Sequence, residues 1–281
     1  QQWGKNGDKM AQIMAENMTK KLDLNENQKA QLITINREQL KGRPAAFQQP
    51  ATSKEERKAT WRKRMEERNT AIDAILTRHG KIDGLVNNAG GQYRSELKDI
   101  STKGFEAVVR SNLTGGFIFM REVYNRWMAA HGGAIVNMIA DIWHGWPNFA
   151  HSAASRGGMH TLSETAASEW AHAGVRVNTV APGSIASSGL DTYDAEHTAY
   201  IQREIAGEIP LQRFGNEAEV SAAIVFLLSP GAAYITGSCI RIDGGGPNAR
   251  PMWAKLKKSD KSKPFDGFHR AKPPAILDPA G

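Results

Sequence analysis

The chain reads as an α/β protein, the carboxyl-terminal part of a parallel sheet preceded by an α-helical segment, and three observations lead there. Short runs around Gly84 to Asn87, Ala134 to Ile139, Val175 to Val180 and Cys239 to Asp243 have strand length and are separated by long stretches of helical periodicity. The first and third of these runs end in small residues, Asn87-Asn88-Ala89-Gly90-Gly91 and Ala181-Pro182-Gly183, where a flat ligand can approach the backbone. Residues 1–78, in contrast, repeat their apolar positions at helical spacing.

That opening segment contains three expected helices. Met10, Ile13, Met14, Met18 and Leu22 form the first stripe behind Asp8 as a cap. Asn25 followed by Gln28 resembles a capping box, and Leu32, Ile33 and Leu40 carry a second helix to Gly42. After the breaker-rich Arg43 to Pro50, Ser53 with Glu56 opens a third, whose stripe is Trp61, Met65, Ile72 and Leu76. A dinucleotide site needs a strand running into Gly-x-x-x-Gly-x-Gly, so that backbone N–H groups at a helix N-terminus meet the diphosphate. Residues 1–78 contain no such run, and Gly4 and Gly7 lie in polar sequence with no strand ahead of them. The residue that selects NAD over NADP normally ends the second strand, so either cofactor stays open.

Composition excludes several classes. The single Cys239 allows no internal disulfide, which fits a reducing compartment. Nothing reaches the roughly 18 apolar residues of a membrane helix, so no membrane partner is expected. Gln1 to Lys5 has neither an initiator Met nor a signal-peptide core, and this end is expected to be trimmed. The formal charge of +7 resides in the flanks: 16 basic against 10 acidic residues in 1–78, 12 against 16 in 79–248, and 8 against 3 in 249–281. Both signs mix along helical patterns in the flanks, which argues for solvated surface rather than a nucleic-acid face, with acidic partners such as CoA phosphates left open. No His, Cys or carboxylate spacing forms a metal-ligand set, and no Gly-x-Ser-x-Gly turn supports a hydrolase.

Asn87 to Gly90, Ser111-Asn112-Leu113, Ala134 to Asn137, Val175 to Gly183, Pro210 to Gly215, Tyr234 to Gly237 and Ile242 to Gly245 follow in an order and spacing that resemble the short-chain dehydrogenase/reductase family over residues 79–247. Gly90-Gly91-Gln92-Tyr93 and His151 to Arg156 look like the branch of peroxisomal trans-2-enoyl-CoA reductases, and like citronellol/citronellal dehydrogenases. The resemblance implies a Rossmann-like sheet. Residues 1–78 resemble Spy/CpxP-like periplasmic helical proteins through Leu24-Asn25-Glu26-Asn27-Gln28, which places a junction near residue 78, natural fusion or chimera. Residues 248–281 form a basic, Pro-rich tail, expected to extend across a neighbour or stay unordered.

The same resemblance assigns roles. Asn112 takes the position of the family's relay Asn. The Tyr-x-x-x-Lys pair reads here as Ser152 and Arg156, and the polarising Ser falls at Ile139 or Ala140. An alkyl hydroxyl is a far weaker acid than a phenol, and Arg cannot be deprotonated. Ordinary alcohol–ketone chemistry is therefore not expected. Enoyl thioester reduction tolerates the changes, because developing charge on oxygen needs only donors, which Ser152 and Arg156 supply. Asp141, His144, His151, His160 and Tyr93 are candidate proton donors by position. Asn88, Ala89, Gly90, Arg156, Pro182, Gly183, Ile185 and Ser187 are the implied cofactor contacts, with Ala186 to Tyr200 as a substrate lid.

The implied function is an NAD(P)-dependent oxidoreductase acting on an acyl-CoA or a terpenoid, with poor cofactor affinity for want of a phosphate cradle. The family resemblance also implies a homo-oligomer. The alternative is a non-catalytic helical fusion with Spy/CpxP-like binding of stress-related partners. The two halves imply different compartments, cytoplasmic or periplasmic.

Overall fold

A computed structural model describes residues 70–187, 204–250, 252, 254–265 and 267. The chain divides into two units, Gln1–Glu67 and Arg68–Gly281, and every described residue belongs to the second. The first two expected helices, the third up to residue 69, and the lid stretch from residue 188 to Tyr200 lie outside the described residues; the end of the third, with Ile72 and Leu76, is described and is helical over 70–79.

The four expected strands all form. They are β1 (Gly84–Asn87), β2 (Gly133–Met138), β3 (Val175–Pro182) and β6 (Cys239–Ile242), ordered β1-β2-β3-β6 and parallel throughout. Two shorter strands, β4 (Ile185–Ala186) and β5 (Gly215–Asn216), pair beside them. Parallel strands covered on both faces bury successive residues, and Ala134 to Asn137 and Val177 to Ala181 are buried without a break, Asn137, Asn178 and Thr179 included. Ile135, Val136, Val177 and Val180 have no accessible surface, each contributing about 1.5–3 kcal/mol by burial.

Four helices cover the sheet: α1 (70–79), α2 (102–131), α3 (Ala150–Trp170) and α4 (Glu217–Leu228). Ile72 of α1 is buried in the core with Leu76 against it, and Arg126 of α2 pairs with Asp73 of α1. Ser101 caps α2, its side chain accepting from the Gly104 N–H at 3.1 Å. Two π-helical stretches, Arg110–Thr114 and Tyr124–Met128, interrupt α2 and turn Asn112 and Met128 inward. A full capping box of Asn216 and Glu219 starts α4. Its exit is held by Arg176 of β3, which donates to the carbonyls of Leu227 at 2.8 Å, Ser229 at 3.2 Å and Ile235 at 3.4 Å.

Asn87 and Asn137 are register partners, and Asn87 Nδ2 donates to Asn137 Oδ1 at 2.7 Å while Asn137 Nδ2 donates to Ser163 Oγ at 2.8 Å. This buried polar line locks β1 to β2 and β2 to α3. Among the described residues β1 pairs with β2 alone.

The described part of the tail, 254–265, lies against its own chain. Arg213 Nε donates to Ser262 Oγ at 3.0 Å, Asn216 Nδ2 to the Phe265 carbonyl at 2.9 Å, and the Phe265 N–H to Glu219 Oε1 at 3.3 Å. These described tail residues bond within the chain at Ser262 and Phe265. Their partners are polar groups at the start of α4, a feature that proline content cannot reveal.

Candidate active site

A cleft of about 1370 Å³ opens at the carboxyl ends of β1, β2 and β3, where parallel sheets bind ligands. Three segments make its floor and one wall: the loop after β1 with Asn88, Gly90, Gly91 and Gln92, the end of β2 through Ala140 and Asp141, and the turn Pro182 to Ile185 with Ser187. The rest of the lining mixes aromatic and polar side chains, with Trp143, Trp146, Pro147, Asn148 and Phe149 from the loop before α3 and Phe214, Glu217, Val220, Ser221 and Ile224 from the α4 side. That loop is tightly wound. His144 and Asn148 sit in the left-handed region at φ 71° and 66°, and Arg241 lies over the Trp143 ring at 5.1 Å.

Arg156 is the centre of the floor. It projects from α3, is 9% exposed, and donates from Nη1 to the Met138 carbonyl at 2.7 Å. Its Nε has no partner, and no carboxylate pairs with it among the described residues. Burial lowers its pKa from the ordinary guanidinium value, yet Arg keeps its proton in proteins. A largely buried cation with no carboxylate partner beside an open cleft suits oxygen ligands.

Gly90 is required by this packing. A Cβ there would stand 2.6 Å from Asn112 Oδ1 and 3.0 Å from Arg156 Nη2. Asn112 is buried and uses its whole carboxamide on the same loop: Oδ1 accepts from the Gly91 N–H at 2.8 Å, and Nδ2 donates to the Gly91 carbonyl at 3.0 Å. It thus shapes the loop that lines the cleft without lining the cleft itself.

Ser152 is likewise fully buried and outside the cleft lining, with Oγ donating to Gln92 Oε1 at 3.4 Å. Of the three sequence-predicted catalytic residues, Arg156 alone faces the cleft; Asn112 and Ser152 stand behind Gly91 and Gln92, which do face it. Among the cofactor candidates, Asn88, Gly90, Arg156, Pro182, Gly183, Ile185 and Ser187 come together in the cleft, whereas Ala89 is exposed outside it. Gly183 is closely packed: a Cβ would meet Asp243 Cα at 2.8 Å.

Asp141 completes the site, a residue that its position suggested and its surroundings single out. Oδ1 is buried without a hydrogen-bond partner. Burial is the main cause of its raised pKa and the charge of Asp243 adds to it, outweighing the Trp143 N–H, Arg241 and His144, which act the other way. Of the other candidates, His151 is wholly buried under the edge of Tyr93 at 4.4 Å, its Nδ1 accepting the Ser152 N–H at 2.9 Å. His160 faces Glu164 and Thr179. None of Tyr93, His151 or His160 lines the cleft. Among the described residues no metal-ligand cluster occurs, and no helix is long and apolar enough to cross a membrane.

Comparison with known proteins places this geometry. The family model described as Enoyl-(Acyl carrier protein) reductase matches residues 59–246, and a domain of unknown function (DUF4890) matches residues 1–103. A peroxisomal 2,4-dienoyl-CoA reductase of Danio rerio is 36% identical over 179 residues, covering 62% of this chain and 58% of that protein. The chain therefore spans less than two thirds of that relative's length. The citronellol catabolism dehydrogenase (AtuB) of Pseudomonas aeruginosa PAO1 superposes with a TM-score of 0.56 at 53% identity, over 65% of this chain and 69% of that one. A gluconate 5-dehydrogenase of Burkholderia cenocepacia J2315, solved in complex with NADP and tartrate, superposes at 0.58 with 30% identity, over 65% and 71%.

Proposed function

The chain belongs to the short-chain dehydrogenase/reductase family, and from that premise we propose that its cleft performs NAD(P)-dependent reduction of an unsaturated acyl thioester, with a terpenoid alcohol or aldehyde as the other substrate class. The observation that carries the reading is the buried, carboxylate-free guanidinium of Arg156 on the cleft floor, with Trp143, Trp146, Phe149 and Phe214 also in the lining. Aromatic side chains suit an acyl or terpenoid chain, and a fixed cation suits an oxygen on which charge develops.

The described residues suit one end of a nicotinamide cofactor: Arg156 would offer donors to ribose hydroxyls, the backbone of Gly90 and of Pro182 to Ile185 would hold the nicotinamide, and Ser187 would donate to a phosphate. When bound, such a cofactor supplies hydride. The chain's own residues do the rest. Arg156 holds the substrate oxygen, and the Trp143–Phe149 loop excludes water. Asp141, whose carboxyl keeps its proton above the ordinary range, delivers it at the end of β2. Ser152 and Asn112 are positioning residues, acting through Gln92 and Gly91.

The test is reduction of a trans-2-enoyl-CoA and of citronellal, followed by loss of NADPH or NADH absorbance. Arg156→Ala is expected to lower kcat/KM by about two orders of magnitude. Unchanged turnover in that variant would refute the reading.

A second reading is non-catalytic binding of stress-related partners by a Spy/CpxP-like opening segment; the match of residues 1–103 to DUF4890 bears on it. Suppression of client aggregation together with no cofactor binding would select it. The half-exposed Phe105, Phe117 and Phe119 along α2 support homo-oligomer formation in either case.

A further inference from the structure

The tail residues that the cleft chemistry leaves unused are basic and held in place. Between 254 and 265 stand Lys255, Lys257, Lys258, Lys261 and Lys263 against the single Asp260. All five lysines are exposed, and none pairs with a carboxylate among the described residues. A chain of like charges would ordinarily be left free in solvent. Here the segment is fastened: Ser262, Lys263 and Phe265 bond to Arg213, Asn216 and Glu219, with Arg213 Nη2 donating to the Lys263 carbonyl at 3.2 Å.

The anchor itself is rigid. Arg213 grips Glu219 through Nη1–Oε2 at 2.9 Å and Nη2–Oε1 at 2.6 Å, and Glu219 also closes the capping box of α4. The same stretch of chain lines the cleft, through Phe214, Glu217, Val220 and Ser221. Anchor and cleft-lining residues therefore alternate along 213–221, so the lysine row is tied at its Lys263 end to the segment that lines the cleft.

We propose that this row receives the phosphates of a coenzyme A thioester whose acyl end occupies the cleft; this rests on the thioester reading above and assigns the carrier's polyanionic arm a place. Unpaired ammonium groups tied to that segment attract a ligand bearing several phosphates, and they add little for an uncharged arm.

The test compares CoA with pantetheine, which keeps the thiol arm and lacks the phosphorylated nucleotide, by titration into the full chain. CoA is expected to bind more tightly, with the advantage fading as salt rises from about 20 to about 300 mM. The triple variant Lys257→Ala/Lys258→Ala/Lys261→Ala is expected to weaken CoA about tenfold and leave pantetheine unchanged. Arg213→Ala, with its fold checked by thermal melting, keeps the lysines and frees the row, and is expected to weaken CoA as well. Equal CoA affinity in parent and triple variant, or equal CoA and pantetheine affinity in the parent, would overturn the proposal. So would tighter binding of a short DNA duplex through the same lysines. Lysine-dependent CoA binding without any thioester reduction would uphold the row and reject the catalytic reading instead.

Discussion

Replacing Gly90 with alanine sets a methyl carbon 2.6 Å from Asn112 Oδ1, closer than such atoms come, so the carboxamide must move. Moving it breaks the two bonds to Gly91, at 2.8 and 3.0 Å. Each is worth about 0.5–1.5 kcal/mol, so the variant should lose about 2 kcal/mol. For a domain of this size that is a fall in Tm of about 4–8 °C. The informative measurement is a double-mutant cycle with Asn112→Ala. Alanine at 112 alone should cost about 2–3 kcal/mol, since it forfeits the same two bonds and the one that Oδ1 accepts from Ser111 Oγ at 3.2 Å, but it also vacates the space the new methyl needs. Gly90→Ala in the Asn112→Ala background should then add less than about 0.5 kcal/mol, the remaining neighbour being the movable end of Arg156. Additive costs in denaturant or thermal unfolding would refute the idea that Gly90 exists to admit the Asn112 carboxamide.

Three other outcomes follow from named contacts. Asp141→Asn removes a carboxylate whose folded pKa is raised, a group that subtracts stability as pH climbs above the ordinary carboxylate value; the variant should melt higher than the parent at pH 7, by about 1 kcal/mol, and level with it near pH 3, while losing reductase activity. Burial opposes ionisation of Glu219, but hydrogen bonds from Arg213, the Asn216 N–H and the Phe265 N–H, with the Arg213 charge, hold its pKa below the usual range. That stabilisation is present above the unfolded pKa and vanishes as pH falls through the folded one, so Arg213→Ala should cost about 1 kcal/mol at pH 7 and little in acid, as read from melting curves. Arg176→Met strands three carbonyls at the end of α4 and should cost about 2 kcal/mol in denaturant unfolding, with cofactor titrations unaffected.

The sheet was legible because central parallel strands need apolar residues on both faces, and the runs at β2 and β3 have no other use. Arg156 was legible as a cation at the family's Lys position, and Asn88, Gly90 and Pro182 to Ile185 as strand-end turns. What the sequence hid depends on side-chain direction. Ser152 and Asn112 stand at family positions, yet both turn behind the cleft surface, onto Gln92 and Gly91. The π-helical stretch that rotates Asn112 has no sequence period of its own. Arg176 reads as an interruption in a β-branched strand, and its role appears only when β3 meets the end of α4. The tail's docking is hidden for the same reason: Arg213, Asn216 and Glu219 form the anchor only once Glu219 has closed the cap of α4.

The central proposal is that this cleft grips the nicotinamide end of its cofactor through Arg156 and the strand-end turns, and that the far half, for which the sequence shows no Gly-x-x-x-Gly-x-Gly run, adds little. Calorimetric titration of reduced nicotinamide mononucleotide against NADPH and NADH tests it most directly. The account predicts dissociation constants for the three within about threefold of one another, each weakened by Arg156→Ala. A dinucleotide bound about a hundredfold more tightly than the mononucleotide would contradict it, because that gain requires a phosphate cradle.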